Sequence, residues 1–287
     1  MGAVVVGVDG SEPALEAVRW AAREAADRHA DLVLVYAFDV AGLYADSAVA
    51  PLLDDVEQRM RVEAEEILDA AGGVAAEAVP GVTVQTRADR DAPSVALIEE
   101  SRTASLLVLG SSGRGALGTA LGSVTLTVAA HAESPVVVVR GAVHDGPVLV
   151  GVDGGPLSDA ALAHAFAVAS AHGSGLTALY AWHDGQSPAL RASGAFDRMR
   201  DTEERALAER LAGWSERYPD VAVERVIERY EPGRALTEHS ARSRLVVVAT
   251  RGRGGFTGLL LGSTGLSLIQ RAGCPVMLVG PHTQAGP

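Results

Sequence analysis

The 287-residue chain contains no lysine; all 24 of its basic side chains are arginine. That absence excludes a phosphate-binding G-x-x-x-x-G-K-[ST] loop, a Schiff-base nucleophile and a kinase-type phosphate lysine. The one cysteine, Cys274, excludes an intrachain disulfide or a cysteine-based metal cluster. The eight histidines are scattered, with no H-x3-H or H-E-x-x-H spacing, so no built-in metal site is expected. No apolar run approaches the roughly 18 residues of a membrane span, and no positively charged stretch precedes the opening apolar run. The expectation is a cytoplasmic protein without a membrane partner. A basic excess is missing as well: residues 1–143 carry 10 Arg against 21 Asp and Glu, the remainder 14 against 15, for a total of −12. Nucleic acid is therefore not an expected partner.

What is present is written twice. VVVGVDGS, from Val4 to Ser11, returns as VLVGVDGG, from Val148 to Gly155. SSGRGALGTALGS (Ser111 to Ser123) followed by SPVVVV (Ser134 to Val139) returns as TRGRGGFTGLLLGST (Thr250 to Thr264) followed by CPVMLV (Cys274 to Val279). The aspartates lie 144 residues apart and the loop-end glycines 140, a period that means two complete domains rather than a solenoid. The expected domains are 1–142 and 147–287, joined through the turn-rich stretch Gly141 to Pro147. With 48% hydrophobic residues, two cores of roughly 140 residues each can be buried.

Short β-branched runs alternate with helical patterns, the sequence form of a parallel sheet with crossover helices. In the first half the runs are Ala3 to Val8, Leu32 to Phe38, Val82 to Thr86, Leu106 to Leu109 and Val136 to Val139. In the second they are Val148 to Val152, Leu176 to Ala181, Val221 to Val226, Leu245 to Val248 and Val276 to Val279. Helices are expected after Ser11, a candidate N-cap, over Leu53 to Ala71, Pro93 to Arg102 and Ser123 to His131, and from near Leu157, Ala195, Gly233 and Ser263. The fold class is thus α/β: two tandem doubly wound domains, each a five-stranded parallel sheet of order 3-2-1-4-5 flanked by helices.

In such a sheet a ligand sits at the carboxyl ends of strands one and four, where the order reverses. Those are the two places that carry the repeated motifs. Asp9 and Asp153 end the first strand; Gly110-Ser-Ser-Gly113 and Ala249-Thr-Arg-Gly252 end the fourth. Each glycine loop runs to a Gly-Ser pair, Gly122-Ser123 or Gly262-Ser263, at the next helix start. Glycines let backbone N–H groups approach an oxyanion, and a Ser-capped helix N-terminus favours negative charge. Phosphate is the expected guest. Gly113-Arg-Gly115-Ala-Leu-Gly118 also spells the dinucleotide fingerprint G-x-G-x-x-G. It follows the fourth strand instead of the first, however, and does not recur in the second half.

These motifs resemble the nucleotide-binding members of the universal stress protein family, which carry G-x2-G-x9-G-[ST] after the fourth strand and an Asp after the first. The second half, Ala249-x2-Gly252-x9-Gly262-Ser263, keeps the spacing and replaces the first Gly by Ala; the first half, Gly110-x2-Gly113-x8-Gly122-Ser123, keeps the residues and loses one spacer. The resemblance spans both halves almost end to end and implies an adenine nucleotide alpha-hydrolase-like fold. It implies that Asp9 and Asp153, with Gly7 and Gly151 before them, lie beside the nucleoside, and that the backbone at Ala37 and Ala181 meets adenine. By the same resemblance Gly110, Gly113, Gly122, Ser123 and Val124, and Ala249, Gly252, Gly262, Ser263 and Thr264, hold ribose and phosphates. Ala249 fits that role if its φ is negative. Arg114 and Arg253 either reach a phosphate or remain solvated.

The cofactor implied is ATP, with Mg²⁺ as counterion. No residue near the loops is an evident nucleophile or positioned general base, so the chain reads as a binding protein: a nucleotide-dependent stress sensor or regulator acting on an unidentified client protein. The alternatives are a nucleotide-free scaffold, a slow ATPase or autophosphorylating protein, and an α-phosphate-cleaving enzyme, although the S-G-G-x-D-S loop of the last is absent. The family resemblance implies an internal pseudo-dimer through the fifth strands, and a homodimer of chains is a further possibility. Cys274 reads as a small buried hydrophobe, and Glu63, Glu65, Glu66 and Asp69 as a solvated helix face.

Overall fold

The computed structural model describes residues 2–39, 53–112, 122–181, 195–252 and 261–283. The chain forms two compact units, Met1–Val139 and Arg140–Pro287. In the first, β1 (Val4–Gly7) lies between β2 (Leu32–Ala37) and β4 (Leu106–Gly110), with β3 (Val84–Asp89) beyond β2 and β5 (Val136–Val139) beyond β4. Every neighbouring pair is parallel, which gives the order β3-β2-β1-β4-β5. The second unit repeats it as β8-β7-β6-β9-β10, from β6 (Val148–Gly151), β7 (Leu176–Ala181), β8 (Val223–Glu228), β9 (Leu245–Ala249) and β10 (Val276–Val279). The expected strand order holds in both.

Continuous Val and Leu runs are what a sheet covered on both faces requires, and β1, β4, β5, β6, β9 and β10 are buried along nearly their whole length. The third strand of each unit is different. Apolar content marks Val82 to Thr86 and Val221 to Val226, but the strands are Val84–Asp89 and Val223–Glu228. Both contain exposed polar residues, so backbone pairing to β2 and β7 rather than an apolar run defines them.

Eight helices are seen among the described residues: α1 (Glu12–Asp27), α2 (Leu53–Ala78), α3 (Pro93–Glu100), α4 (Ser123–His131), α5 (Ser158–Ala171), α6 (Ala195–Arg217), α7 (Pro232–Ser240) and α8 (Ser263–Arg271). Ser11 caps α1, its hydroxyl accepting from Ala14 N at 3.4 Å, and Pro13 occupies the first turn, where its missing N–H costs nothing. The buried face of α1 is mostly alanine (Ala14, Ala17, Ala21, Ala22, Ala25) around Val18, so the helix can lie close to the sheet. α2 passes Ala71, the expected end, and continues through Gly72 and Gly73 to Ala78. Ala71 and Ala75 are both buried, and burying them outweighs the conformational cost of the glycines. Glu63, Glu65, Glu66 and Asp69 are exposed, as a solvated face requires. In the second unit Phe166 of α5 is fully buried and stacks on Trp214 of α6 and on Tyr218 just past its end, with ring centroids at 5.9 and 5.7 Å.

Residues 140–147 pack on the second unit. Arg140 Nη1 donates to Leu268 O at 3.0 Å near the C-terminus of α8, and Ala142 N donates to Gly273 O at 3.0 Å. Burial pushes the Arg140 guanidinium below its usual range. Gly141, at φ +62°, is required, because a Cβ there would strike the Gly273 carbonyl. No helix among the described residues is long and apolar enough to cross a membrane.

Two predictions follow from this packing. Cys274 is fully buried, and burial pushes its thiol up to about 12. Native protein at pH 8 should therefore leave the thiol unmodified by a disulfide reagent over hours, whereas denatured protein reacts within minutes; rapid native reaction would contradict this burial. Since the folded value lies above the unfolded one, the associated stability is present below pH about 9 and is lost as pH rises towards about 12. Gly73 lies in the middle of α2 with open space where a Cβ would stand. Gly73→Ala should raise unfolding stability by roughly 0.5–1 kcal/mol in a denaturant titration.

Candidate functional site

Asp9 and Asp153 stand two residues beyond the ends of β1 and β6, not on the strands themselves. Each side chain folds back over its own turn. Ser11 N donates to Asp9 Oδ1 at 3.0 Å and Gly155 N donates to Asp153 Oδ1 at 2.8 Å. The intervening Gly10 and Gly154 adopt φ +78° and +71°, a region that favours glycine. A hydroxyl also donates to the same oxygen at 2.6 Å in both units: Ser11 Oγ in the first and Ser158 Oγ in the second.

Gly7 and Gly151, the last residues of β1 and β6, owe their identity to packing. A Cβ on Gly7 would come within 2.8 Å of Leu109 Cδ2, and one on Gly151 within 2.9 Å of Leu236 Cδ1. Gly110 ends β4 against the start of α1, where a Cβ would stand 2.7 Å from the Pro13 carbonyl and 2.9 Å from Ala14 N. Its counterpart Ala249 carries the extra methyl without a positive φ, meeting the condition set by the sequence. The local reason is a helix-start difference: α1 begins three residues after Asp9, whereas α5 begins five residues after Asp153. The helix start that crowds Gly110 thus falls two positions later in the second unit.

Beyond the fourth strands the helix starts correct one expectation. Ser123 and Ser263 do not cap their helices; Gly122 and Gly262 occupy the N-cap positions, with no side-chain cap hydrogen bond, and the serines are the first helical residues. The extended φ and ψ at each glycine (−65°, 138° and −64°, 155°) are ordinary cap geometry. Glycine offers no side chain to cap these starts, so the first-turn N–H groups beside Ser123 and Val124, or Ser263 and Thr264, are candidate anion donors. In the second unit Thr250 N donates to Val279 O at 2.9 Å and Gly262 N to Thr250 O at 2.8 Å, tying the loop to the sheet and its two ends to each other.

These parts meet in a cavity of about 520 Å³ at the carboxyl ends of β6, β7 and β9. All eight second-half candidates line it: Gly151, Asp153, Ala181, Ala249, Gly252, Gly262, Ser263 and Thr264. Gly252 faces the aspartate so closely that a Cβ would stand 2.5 Å from Asp153 Oδ2. In the first unit Gly7, Asp9, Ala37, Gly110, Gly122, Ser123 and Val124 occupy the matching strand ends and helix start. Gly113, with Arg114, Gly115 and Gly118, lies outside the described residues, as does Arg253.

The sequence did not single out Arg251, Thr250, Pro232, Leu179 or Leu236, which also line the cavity. Pro232 had a signal, because Pro93 opens the equivalent helix of the first unit. Arg251 had none, since its counterpart is Ser112; it is the one cation among the described residues lining the cavity. Its neighbours Leu179, Pro232, Leu236 and Val248 supply an apolar wall opposite the polar loop. Among the described residues no group of three or more His, Cys, Asp or Glu side chains gathers as a metal cage.

Fold and site together define a tandem of doubly wound α/β domains, with a largely apolar crevice at the switch point of the second. The universal stress protein family model matches residues 1–140 and again 146–280, and the chain belongs to that family. It is 41% identical to a universal stress protein of Mycolicibacterium smegmatis, with 97% of each chain covered. It is 40% identical to the universal stress protein Rv2005c of Mycobacterium tuberculosis, with 96% of each covered. Among solved structures, a universal stress protein from Archaeoglobus fulgidus shares the fold with a TM-score of 0.67 at 23% identity, over 97% of this chain and 98% of that one.

The two fourth-strand glycine positions should respond differently to substitution. Gly110→Ala should cost roughly 1–3 kcal/mol of stability, because the methyl meets backbone atoms of α1 that cannot swing aside. Gly252→Ala presses on the Asp153 carboxylate instead and should lower the melting temperature less than Gly110→Ala does while altering ligand binding in the second unit. Thermal unfolding of the two variants side by side checks the contrast.

Proposed function

We propose that this protein is an ATP-binding universal stress protein, acting as a nucleotide-dependent stress sensor or regulator. The observation that carries the reading is the cavity of about 520 Å³ in the second unit, well within the range of small-molecule sites. It combines an aspartate, an apolar wall, an arginine and an uncapped helix start. A nucleotide matches that sequence of surfaces: base against Leu179, Ala181 and Pro232, sugar beside Asp153, phosphates at Gly262, Ser263 and Thr264. The start of α8 offers backbone N–H donors and the positive end of a helix dipole to the phosphates, and Arg251 adds a full charge. Mg²⁺ fits as a counterion brought by the triphosphate: Asp153 is a single carboxylate, and Ser263 and Thr264 supply hydroxyls, so most of its ligands would be phosphate oxygens and water. When bound, the ion neutralises phosphate charge.

The role is binding rather than turnover. Asp153 is engaged with its own turn and with Ser158, an arrangement suited to holding a sugar rather than activating water at a distant phosphate. Occupancy then changes contacts with a client protein in the cytoplasm. The proposal extends to an internal pseudo-dimer of the two halves through their fifth strands, and to association of two chains. A nucleotide-free scaffold and a slow ATPase are the rival readings.

The test is to purify the protein without added nucleotide, denature it and identify any released nucleotide, then titrate stripped protein with ATP, AMP and cAMP by calorimetry. Binding of ATP that falls by at least tenfold in Asp153→Ala, and about threefold or more in Arg251→Ser, supports the reading. No released nucleotide and no heat with ATP would leave the scaffold reading in its place, while phosphate released at a steady rate would favour the ATPase.

A further inference from the structure

We propose that Ser158 is the positioning residue of the second site, orienting the Asp153 carboxylate as Ser11 orients that of Asp9. The inference rests on the nucleotide reading above. The two serines are not equivalent in sequence: Ser11 lies two residues after its aspartate and Ser158 five after, while the positions that do correspond hold Gly155 and Ala14. Yet each hydroxyl reaches the same carboxylate oxygen, Oδ1, at the same 2.6 Å. Two different backbone routes converge on one contact.

The direction of that contact is fixed. Ser158 Oγ accepts from Asp153 N at 3.2 Å, and Ser11 Oγ accepts from Ala14 N at 3.4 Å. An ionised carboxylate only accepts, so the single hydroxyl proton in each case goes to Oδ1. A charge-assisted O–H···O⁻ bond of this length is among the stronger protein hydrogen bonds. Together with the Gly155 N–H at 2.8 Å it holds Oδ1 from two sides, which sets the rotation of the carboxylate and therefore where Oδ2 stands against Gly252.

A purely structural role explains Ser11 better than Ser158. The Ser11 hydroxyl also caps α1, so helix stability alone could account for it. Ser158 is instead the first residue of α5, which has no side-chain cap. Its hydroxyl is bonded at both ends to Asp153, and the residue is 2% exposed. Nor is it needed to close the turn, which the Gly155 N–H already closes. What remains for a buried hydroxyl at this position is the carboxylate itself.

The test uses the full chain with Asp9→Ala as parent, so that heat reports the second site. Calorimetric titrations with ATP and with 2′,3′-dideoxy-ATP are run on the parent, on added Ser158→Ala, and on added Gly155→Ser with Ser158→Ala, with melting temperatures in parallel. The double change moves the hydroxyl to the position it has in the first unit, where the turn has a similar glycine φ and the corresponding N–H contact. Ser158→Ala should weaken ATP about tenfold and leave dideoxy-ATP within about twofold, because Asp153 then has no sugar hydroxyl to meet. The transplanted serine should restore ATP affinity to within about threefold of the parent. A Ser158→Ala protein that binds ATP as the parent does would overturn the inference alone, as would a transplant that recovers the melting temperature without the affinity. A parent that gives no heat with ATP overturns the nucleotide reading and this inference with it.

Discussion

The site depends on a constraint of connectivity. In a parallel sheet each crossover must return right-handed, so an order of 3-2-1-4-5 sends the chain away from strands one and four to opposite faces, leaving a crevice between their carboxyl ends. In the second unit β6 and β9 are those strands, paired from Val148 and Leu245 to Val150 and Val247. The residues just past the pairing, Asp153 on one side and Ala249 to Gly252 on the other, have no choice but to border the opening. Packing sharpens it: Gly151 has no side chain because Leu236 and Val248 occupy the space beneath, which keeps the floor level with the backbone. The rest of the unit is Val, Leu and Ala filling two layers of helix around a sheet.

Duplication exposes how far the parts of the site depend on one another. Where α1 starts early, Ser11 can cap the helix and hold Asp9, but the start of the helix presses on β4 and only glycine fits at 110. Where α5 starts two positions later relative to the aspartate, alanine stands at 249, and the aspartate takes its hydroxyl from within the helix at Ser158. Each half keeps the glycine turn after the aspartate and the Oδ1 clamp while differing in which serine supplies it.

Much of this was legible in the sequence. The strand order, the two units and the strand-end positions of the second-half site follow from the repeated VDG and glycine-loop segments, because those motifs mark the switch point by themselves. The errors have physical causes. β3 and β8 lie two or three residues from the apolar runs that suggested them, since polar residues are tolerated there and pairing sets the ends. α2 ran through Gly72 and Gly73 because tertiary burial of Ala71 and Ala75 overrides local propensity. The serines at 123 and 263 looked like caps, yet the preceding glycines take that role; an N-cap preference shared by Gly and Ser leaves a Gly-Ser pair ambiguous by one residue. Arg251 and Ser158 were invisible because repeat comparison rewards identity between halves, and both differ from their counterparts.

The missing lysine bears on what the site can do. Phosphoryl transfer needs fixed cations where charge develops on the transferring group and on the leaving oxygen. Here the described cavity offers one arginine, and otherwise hydroxyls, backbone donors and the partial charge of α8. Such a helix start contributes about half a charge and acts within its first turn. That is suited to holding a phosphate already present, and it discriminates little between ground state and transition state. On the proposed reading such contacts serve affinity, since they act alike on ground state and transition state. On the proposed reading the lysine-free composition and the uncapped glycine helix starts therefore belong together: both favour reversible occupancy, which is what a sensor must read.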